Sequence, residues 1–472
     1  MPRVIPVIPS PAGDEDISLY EVRRRVYPRA VRGWFAGWRW ALVWLTQLLF
    51  YGLPWLSWNG RPAVLFDLEA RRFFLFGVVL YPQDFVYLTA LLVISALSLF
   101  LFTAVAGRLW CGYACPQTVY TEIFMWIERR IEGDRHARMK LDRAPWSLRK
   151  LDRKSAKQAA WVGVALWTGI TFAGYFTPIG TLLGQIAGYS LGPWQIFWIA
   201  LYSFATYGFA GFMREQVCKY MCPYARFQSS MFDKDTMIIT YDAERGEPRG
   251  SRSRKADPAA LGLGSCIDCG LCVEVCPTGI DIRNGLQYEC IGCAGCIDAC
   301  DQVMDKMGYA RGLVRYTTTH ALANHWDFRQ IVRHAFRPRV LIYVTILLSV
   351  TAALFTHLAL RVPLKVDVLR DRGTLAREVE DGRIENVYRL QIMNTAEQPR
   401  VFRIGVTGLP SAAIASEPQV SVDPAGNRLV SVRVRAEPGS GHPGSNRIDF
   451  QVEAADDSRV VVQEKSVFYL PR

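Results

Sequence analysis

Before residue 360 the chain is apolar in long unbroken runs; after it, apolar and polar residues alternate. Trp40–Trp58 and Phe85–Ala106 contain no Asp, Glu, Lys or Arg. No charged residue occurs between Lys157 and Arg214, a stretch too long for one bilayer crossing. Gly180, Gly184, Gly188, Gly192 and Pro193 divide it into runs near 159–179 and 194–213. Val340–Leu360 is the fifth run. About 20 apolar residues in helical conformation match the hydrocarbon thickness of a membrane, so these runs predict five transmembrane helices. From 361 onwards, segments such as Val401-Phe-Arg-Ile-Gly-Val and Leu429-Val-Ser-Val-Arg-Val-Arg alternate with period two. Turn signals at Gly408-Leu-Pro410, Asp423-Pro-Ala-Gly426 and Pro438-Gly439 separate them. That pattern predicts an immunoglobulin-like β-sandwich over 361–472, held by apolar packing because no Cys–Trp–Cys core is present.

Charge orients this arrangement. The formal net charge of +12 admits nucleic acid as a partner, but basic cytoplasmic loops of a membrane protein give the same total. The Arg-rich 242–255 stretch lacks the aromatic interleaving of a base-binding surface, so lipid headgroups or solvent are its expected partners. Twelve Lys and Arg fall between Gly107 and Gln158, none falls between the third and fourth runs, and Arg214, Lys219 and Arg226 follow the fourth. The positive-inside rule therefore places the polar, basic segment 1–39, the 107–158 segment and residues 233–337 in the cytoplasm. The domain after the fifth span, 361–472, is then periplasmic, in a bacterial inner membrane. Arg61, Arg71 and Arg72 in the first outer loop run against the rule. Near the N-terminus no short apolar core marks a cleaved signal peptide.

Cysteine spacing supplies the chemistry. Eight of twelve cysteines lie within 35 residues, as Cys266-x-x-Cys269-x-x-Cys272-x-x-x-Cys276-Pro277 and Cys290-x-x-Cys293-x-x-Cys296-x-x-x-Cys300. Three thiolates at two-residue gaps wrap one [4Fe–4S] cube, and the fourth of each run ligates the other cluster. This assigns Cys266, Cys269, Cys272 and Cys300 to one cluster, and Cys290, Cys293, Cys296 and Cys276 to the second. Structural zinc uses separated CxxC pairs, often with His, and disulfides need an oxidising compartment that this topology denies. The segment resembles bacterial two-cluster ferredoxins, with Asp301 where proline usually follows the second run.

The other four cysteines form an internal repeat. Spans one and two lead into Arg108-Leu-Trp-Cys111-Gly-Tyr-Ala-Cys115-Pro116, and spans three and four into Arg214-Glu-Gln-Val-Cys218-Lys-Tyr-Met-Cys222-Pro223. Cysteines at i and i+4 share a face if the segment is one helix. Beside Arg and Lys their thiols are expected to have lowered pKa values and strong affinity for soft metals. Copper binding, another metal centre and dithiol–disulfide cycling all fit. A lone pair reads equally as packing or as function, but the duplication favours function. Met221 offers a thioether, though Met at such a position usually packs.

Several cofactors lack a site. His357 is the single histidine within a span, whereas membrane haem b takes two. Neither a GxGxxG after a strand nor a P-loop occurs, so no NAD, flavin or ATP site is expected. Asp84 reads as a helix cap, and His320, His325 and His334 as interfacial.

Five spans, paired CxxxCP motifs, the run ending Cys296-Ile-Asp-Ala-Cys300-Asp-Gln-Val-Met-Asp-Lys-Met-Gly-Tyr and an Ig-like tail together resemble the CcoG/FixG/RdxA family of cytochrome c oxidase accessory proteins. The resemblance implies reduction of Cu(II) to Cu(I) for assembly of the cbb3-type oxidase. It implies clusters on the eight later cysteines and copper chemistry at Cys111, Cys115, Cys218 and Cys222. Implied partners are membrane lipid, a copper transporter or chaperone, and oxidase subunits; the electron donor and any self-association stay open. Two other readings are an electron-transfer subunit resembling quinol-linked polyferredoxins, and a non-catalytic assembly scaffold.

Overall fold

The computed structural model describes residues 25–370, 376–379 and 381–471; most of the basic 1–39 segment, Arg23 and Arg24 included, lies outside them. Long helices occupy the predicted apolar runs: Trp34–Gly52, Phe85–Ala106, Leu148–Gly174, Pro193–Gly211 and Pro338–Ala359. Pro82–Ala106 and Pro338–Ala359 are each long and apolar enough to cross a membrane. Pro193–Gly211 makes a third if it is counted with Arg214–Met221, from which it is bent by 100°. The first and third runs end earlier than expected. Pro54 follows the first helix, and residues 57–62 fold back as two short strands. The Leu148–Gly174 helix begins in charged sequence and stops before Pro178, where a separate helix, Ile179–Ala187, starts.

Packing among these helices follows residue size. Phe85–Ala106 lies along Pro338–Ala359, with Tyr87 Oη 2.8 Å from His357 Nδ1. Leu148–Gly174 meets Pro193–Gly211 at Gly169, where a Cβ would stand 2.3 Å from Ser203 Oγ and 2.5 Å from the Ile199 carbonyl oxygen. Only glycine permits that approach. Outward-facing Leu92 and Leu348 are each 62% exposed, the distribution lipid rather than water would cover.

The C-terminal domain is a two-sheet antiparallel sandwich. One sheet runs Ala413–Ile414, Asn427–Ala436, Ile384–Asn394, Leu364–Arg370, with Arg377–Glu378 also on Ile384–Asn394; the other runs Gln419–Val422, Arg400–Thr407, Gly444–Ala454, Val461–Leu470. The predicted alternation delivers Tyr388, Phe402, Phe450 and Phe468 to a core that excludes water.

A small three-stranded sheet, Val64–Asp67, Arg72–Leu75 and Val78–Leu80, fastens the sandwich to the helices. Its Leu65, Phe74, Val79 and Tyr81 pack against Met393 and Ala425. Tyr81 Oη donates to the Gly426 carbonyl at 3.0 Å. Two of the three outer-loop arginines that fitted the charge rule poorly work here. Arg61 pairs with Glu397 at 3.0 Å, and Arg72 donates to the Ala425 carbonyl at 3.0 Å. Asp84 caps its turn by accepting from the Tyr81 N–H at 3.0 Å, and it also pairs with Arg361 and Lys365 across the domain junction.

Candidate functional site

At the opposite ends of the same helices, Ile238–Tyr241 pairs with Val314–Thr317, and these strands cover the cysteine-rich segment. The two runs trace the same backbone path. Asp268 and Gly270 have φ of 54° and 66°; Gly292 and Ala294 have 68° and 58°. These left-handed residues turn each CxxCxxC around a centre, after which the helices Leu271–Glu274 and Gly295–Met307 begin.

Cys266, Cys269, Cys272 and Cys300 line one cavity, closed by Tyr241, Met304 and Leu313. Cys276, Cys290, Cys293 and Cys296 line a second, walled by Ile239, Ile280, Ile282 and Ile291, with Cys272 at its edge. The fourth cysteine of each run thus crosses to the other set, as the spacing predicts. Among the described residues, no three Cys, His, Asp or Glu side chains close on a single ion. The thiols ring a wider, apolar space, which fits a multi-iron cube better than zinc. Burial pushes Cys290 and Cys300 up to about 12, so occupancy must displace thiol protons. Cys269 is exposed and Cys293 buried, so the first cavity opens towards solvent and the second lies inside.

The CxxxCP cysteines occupy joints between helices, not one helix face. Cys111 lies in the short helix Leu109–Tyr113, whereas Cys115 is extended (φ −62°, ψ 129°) and caps Pro116–Glu132. Cys218 lies in a π-helical turn, Val217–Met221, and Cys222 (φ −80°, ψ 109°) caps Pro223–Met231. In both repeats the proline occupies the first helical turn, where its missing N–H costs nothing. The repeats interlock: Cys111 Sγ donates to Gln228 Oε1 at 3.3 Å, and Gln117 Nε2 to the Arg214 carbonyl at 3.2 Å. Cys111 is close enough to Cys115 and Cys218, and Cys115 to Cys222, for each thiolate to disfavour the next. The expected lowering is therefore overturned at Cys111, Cys115 and Cys218. Burial, reinforced by neighbouring thiols, pushes Cys111 and Cys218 up to about 12 despite Arg108.

The second cavity and the first CxxxCP joint touch directly. A Cβ on Gly112 would stand 2.6 Å from the Gly292 carbonyl oxygen and 2.9 Å from Cys293 Cα. Arg108 Nη1 donates to the Cys290 carbonyl and Arg39 Nη1 to the Cys293 carbonyl, both at 3.3 Å. Tyr316 donates to the Gly292 carbonyl. Cys218 and Cys293 border one small cavity with Thr278 and Ile291. Asp298, between two cysteines of the second run, accepts from the Phe35 and Ala36 N–H groups at 3.2 and 2.7 Å and so caps the first long helix. Sequence reasoning missed Gly112, Arg39, Gln228 and Asp298. Only Arg108 carried a signal, through its repeat position.

A "4Fe-4S dicluster domain" family matches residues 213–319, and a "4Fe-4S binding domain" family matches 88–133. A family described as "IG-like fold at C-terminal of FixG, putative oxidoreductase" matches 354–471. "Nitrogen fixation protein FixG" of Rhizobium meliloti is 40% identical over 450 residues, 89% of this chain and 85% of that protein. The chain belongs to the FixG/RdxA/RdxB family. The FixG-family relative "Protein RdxB" of Cereibacter sphaeroides is 40% identical, covering 93% of this chain and 94% of its own. A crystal structure of a FixG-related protein from Vibrio parahaemolyticus aligns with 23% of this chain and 95% of its own, at 22% identity and a TM-score of 0.21. This FixG-family chain is thus an iron–sulfur protein of oxidoreductase type with 4Fe–4S binding domains, an Ig-like C-terminal domain and two to three candidate membrane helices.

The remaining candidates have structural partners. Asp301 Oδ1 accepts from the Gly312 N–H at 2.9 Å, tying the loop behind the second run. His320 Nδ1 is 2.7 Å from Asp235, His325 Nε2 is 3.7 Å from Glu244, and His334 stacks on Trp326 at 4.1 Å. Met221 is 49% exposed in the π-helical turn.

Proposed function

We propose that this FixG-family protein reduces Cu(II) to Cu(I) at Cys111, Cys115, Cys218 and Cys222, for delivery to the copper centre of a cbb3-type oxidase. Cys266, Cys269, Cys272 and Cys300 hold one [4Fe–4S] cluster, and Cys276, Cys290, Cys293 and Cys296 the other. When bound, the clusters supply single electrons, one for each Cu(II) reduced. The observation that carries this reading is the contact of Gly112 with Gly292 and Cys293, which joins a cluster-ligand loop to a motif of soft thiols. Half-buried thiols exchange their protons for a soft cation and favour Cu(I) over Cu(II). Gln228 and Thr118 orient Cys111, through its sulfur and its carbonyl respectively. Arg39 and Arg108 hold the carbonyls of Cys293 and Cys290, fixing the loop against the joint.

Five spans complete the arrangement, with Trp34–Gly52 and Leu148–Gly174 crossing beside the three more apolar candidates. The clusters then face the reducing cytoplasm, and the Ig-like domain meets oxidase subunits or a copper chaperone in the periplasm. The test is anaerobic. Purified protein with dithionite-reduced clusters, freed of excess reductant, is mixed with Cu(II) and a Cu(I) chelator. Cu(I) forms with wild type and is lost when all four boundary cysteines become Ser while the cluster spectrum stays intact. Copper reduction at the normal rate by the quadruple variant would overturn the assignment.

A further inference from the structure

One helix face, Gly37, Trp40, Trp44, Gln47 and Tyr51, lines a cavity of about 1450 Å³ between Trp34–Gly52 and the helices Pro116–Glu132 and Leu148–Gly174. Its character changes along its length. One end is aromatic, with Trp44 and Trp167; the other opens among Arg29, Arg32, Arg129 and Arg130, with Arg130 over the ring of Trp126 at 5.3 Å. Beside that mouth, where the Arg29 N–H donates to the Glu274 carbonyl at 2.8 Å, Val275 and Pro277 form part of the wall, and these flank the cluster ligand Cys276. Two buried polar atoms there lack hydrogen-bond partners: Arg39 Nε and Gln47 Oε1. Arg39 is 8% exposed, and its Nε forms an ion pair with Glu122 Oε2 at 3.6 Å but donates no hydrogen bond.

We propose that this cavity binds a membrane quinol and that the quinol is the electron donor. An isoprenoid tail fits the tryptophan-lined end. The ring sits beside Val275 and Pro277, where one oxygen accepts from Arg39 Nε–H and the opposing hydroxyl donates to Glu122. A phospholipid would satisfy the tail end and the arginine mouth, but not the buried Arg39 Nε–H, which lacks a hydrogen-bond acceptor. On oxidation both quinol O–H bonds break and the ring becomes a quinone. Its two electrons leave singly, matching two one-electron carriers, and its two protons pass by way of Glu122 to water at the arginine mouth. The inference rests on Cys276 being a cluster ligand, and it is independent of where copper binds.

The test uses holoprotein in phospholipid nanodiscs, with decylubiquinone and decylubiquinol as probes. Quenching of tryptophan fluorescence reports quinone binding, and bleaching of the visible iron–sulfur absorbance reports reduction by quinol. A Cβ on Gly37 or Gly163 would meet nothing within 4 Å, so Phe at either position enters open space with little strain on the fold. Gly37→Phe and Gly163→Phe are expected to weaken quinone binding and slow quinol-driven reduction, each by about tenfold or more. Dithionite-driven copper reduction is expected to stay unchanged in both. Glu122→Gln is expected to slow quinol oxidation while leaving quinone binding intact.

Quinol that leaves the wild-type clusters oxidised, while dithionite reduces them and copper follows, overturns this donor and spares the copper reading. The opposite result, clusters reduced by quinol but copper not reduced, supports this site and overturns the copper reading. Wild-type rates in both Phe variants, with loss of co-purifying phospholipid by mass spectrometry, would make the cavity a lipid seat and overturn the proposal.

Discussion

Replacing Gly112 tests the joint between loop and motif at its tightest point. An alanine Cβ would lie 2.6 Å from the Gly292 carbonyl oxygen, whereas ordinary contacts start at 3.4 Å, so the two backbones must part by 0.8 Å, the difference of those distances. Both neighbours are backbone, so no side chain can swing away. Overpacking of this kind costs about 1–3 kcal/mol, which corresponds to a roughly 5- to 150-fold loss in the docked population. Valine, branched at Cβ, should cost more than alanine. Gly112 ligates nothing, so iron and sulfide content should be unchanged in both variants. Anaerobic stopped-flow mixing of reduced protein with Cu(II) reads the joint: the first turnover should slow in the order Gly, Ala, Val. A full cluster complement with wild-type transfer in Gly112→Val would refute the claim that this contact sets the path.

Other consequences follow from buried groups and crossed ligands. Cys276→Ser should remove the EPR signal of the cluster built on the second run, although Cys276 belongs to the first; loss of the first-run signal alone would contradict the crossing. Burial pushes the Glu128 carboxyl up, but Arg214, Arg138 and Lys157 outweigh it and hold it below the usual carboxylate range. Its stabilisation is therefore complete above the ordinary Glu value, about 4.3, and fades as pH falls through the lower folded value. Glu128→Ala strands the guanidinium of Arg138 at 2.9 Å and that of Arg214 at 2.9 Å. It should cost about 3–5 kcal/mol in thermal melts of detergent-solubilised protein near pH 7, with the penalty shrinking at acid pH. Tyr81→Phe should cost about 1 kcal/mol and speed limited proteolysis between the three-stranded sheet and the sandwich; unchanged cleavage would deny that this contact fastens the domain.

Period-two alternation announced the sandwich because each strand buries one face, and Phe402 and Phe450 lie where the pattern places them. Cysteine spacing announced both cavities, even the crossed partners Cys276 and Cys300, because a two-residue gap leaves the backbone few ways to turn. Helix boundaries were less legible. Trp34–Gly52 starts before the uncharged run because Arg39 finds the Cys293 carbonyl and Glu122 inside the protein, a long-range compensation that periodicity cannot show. The i, i+4 reading of CxxxCP failed because Pro116 and Pro223 open new helices, leaving Cys115 and Cys222 extended. The thiol pKa expectation weighed nearby Arg and Lys but not burial, which depends on the packed structure. Gly112 and Asp298 act on partners far away in sequence, so nothing local marks them.

X-ray absorption at the copper edge tests the central claim most directly. One equivalent of Cu(II) is added anaerobically to protein with reduced clusters. The account predicts an edge of Cu(I) with sulfur as its only ligands, absent when Cys111, Cys115, Cys218 and Cys222 are Ser. Copper that stays Cu(II) on nitrogen and oxygen, or a sulfur-bound Cu(I) spectrum that survives the four substitutions, would contradict it.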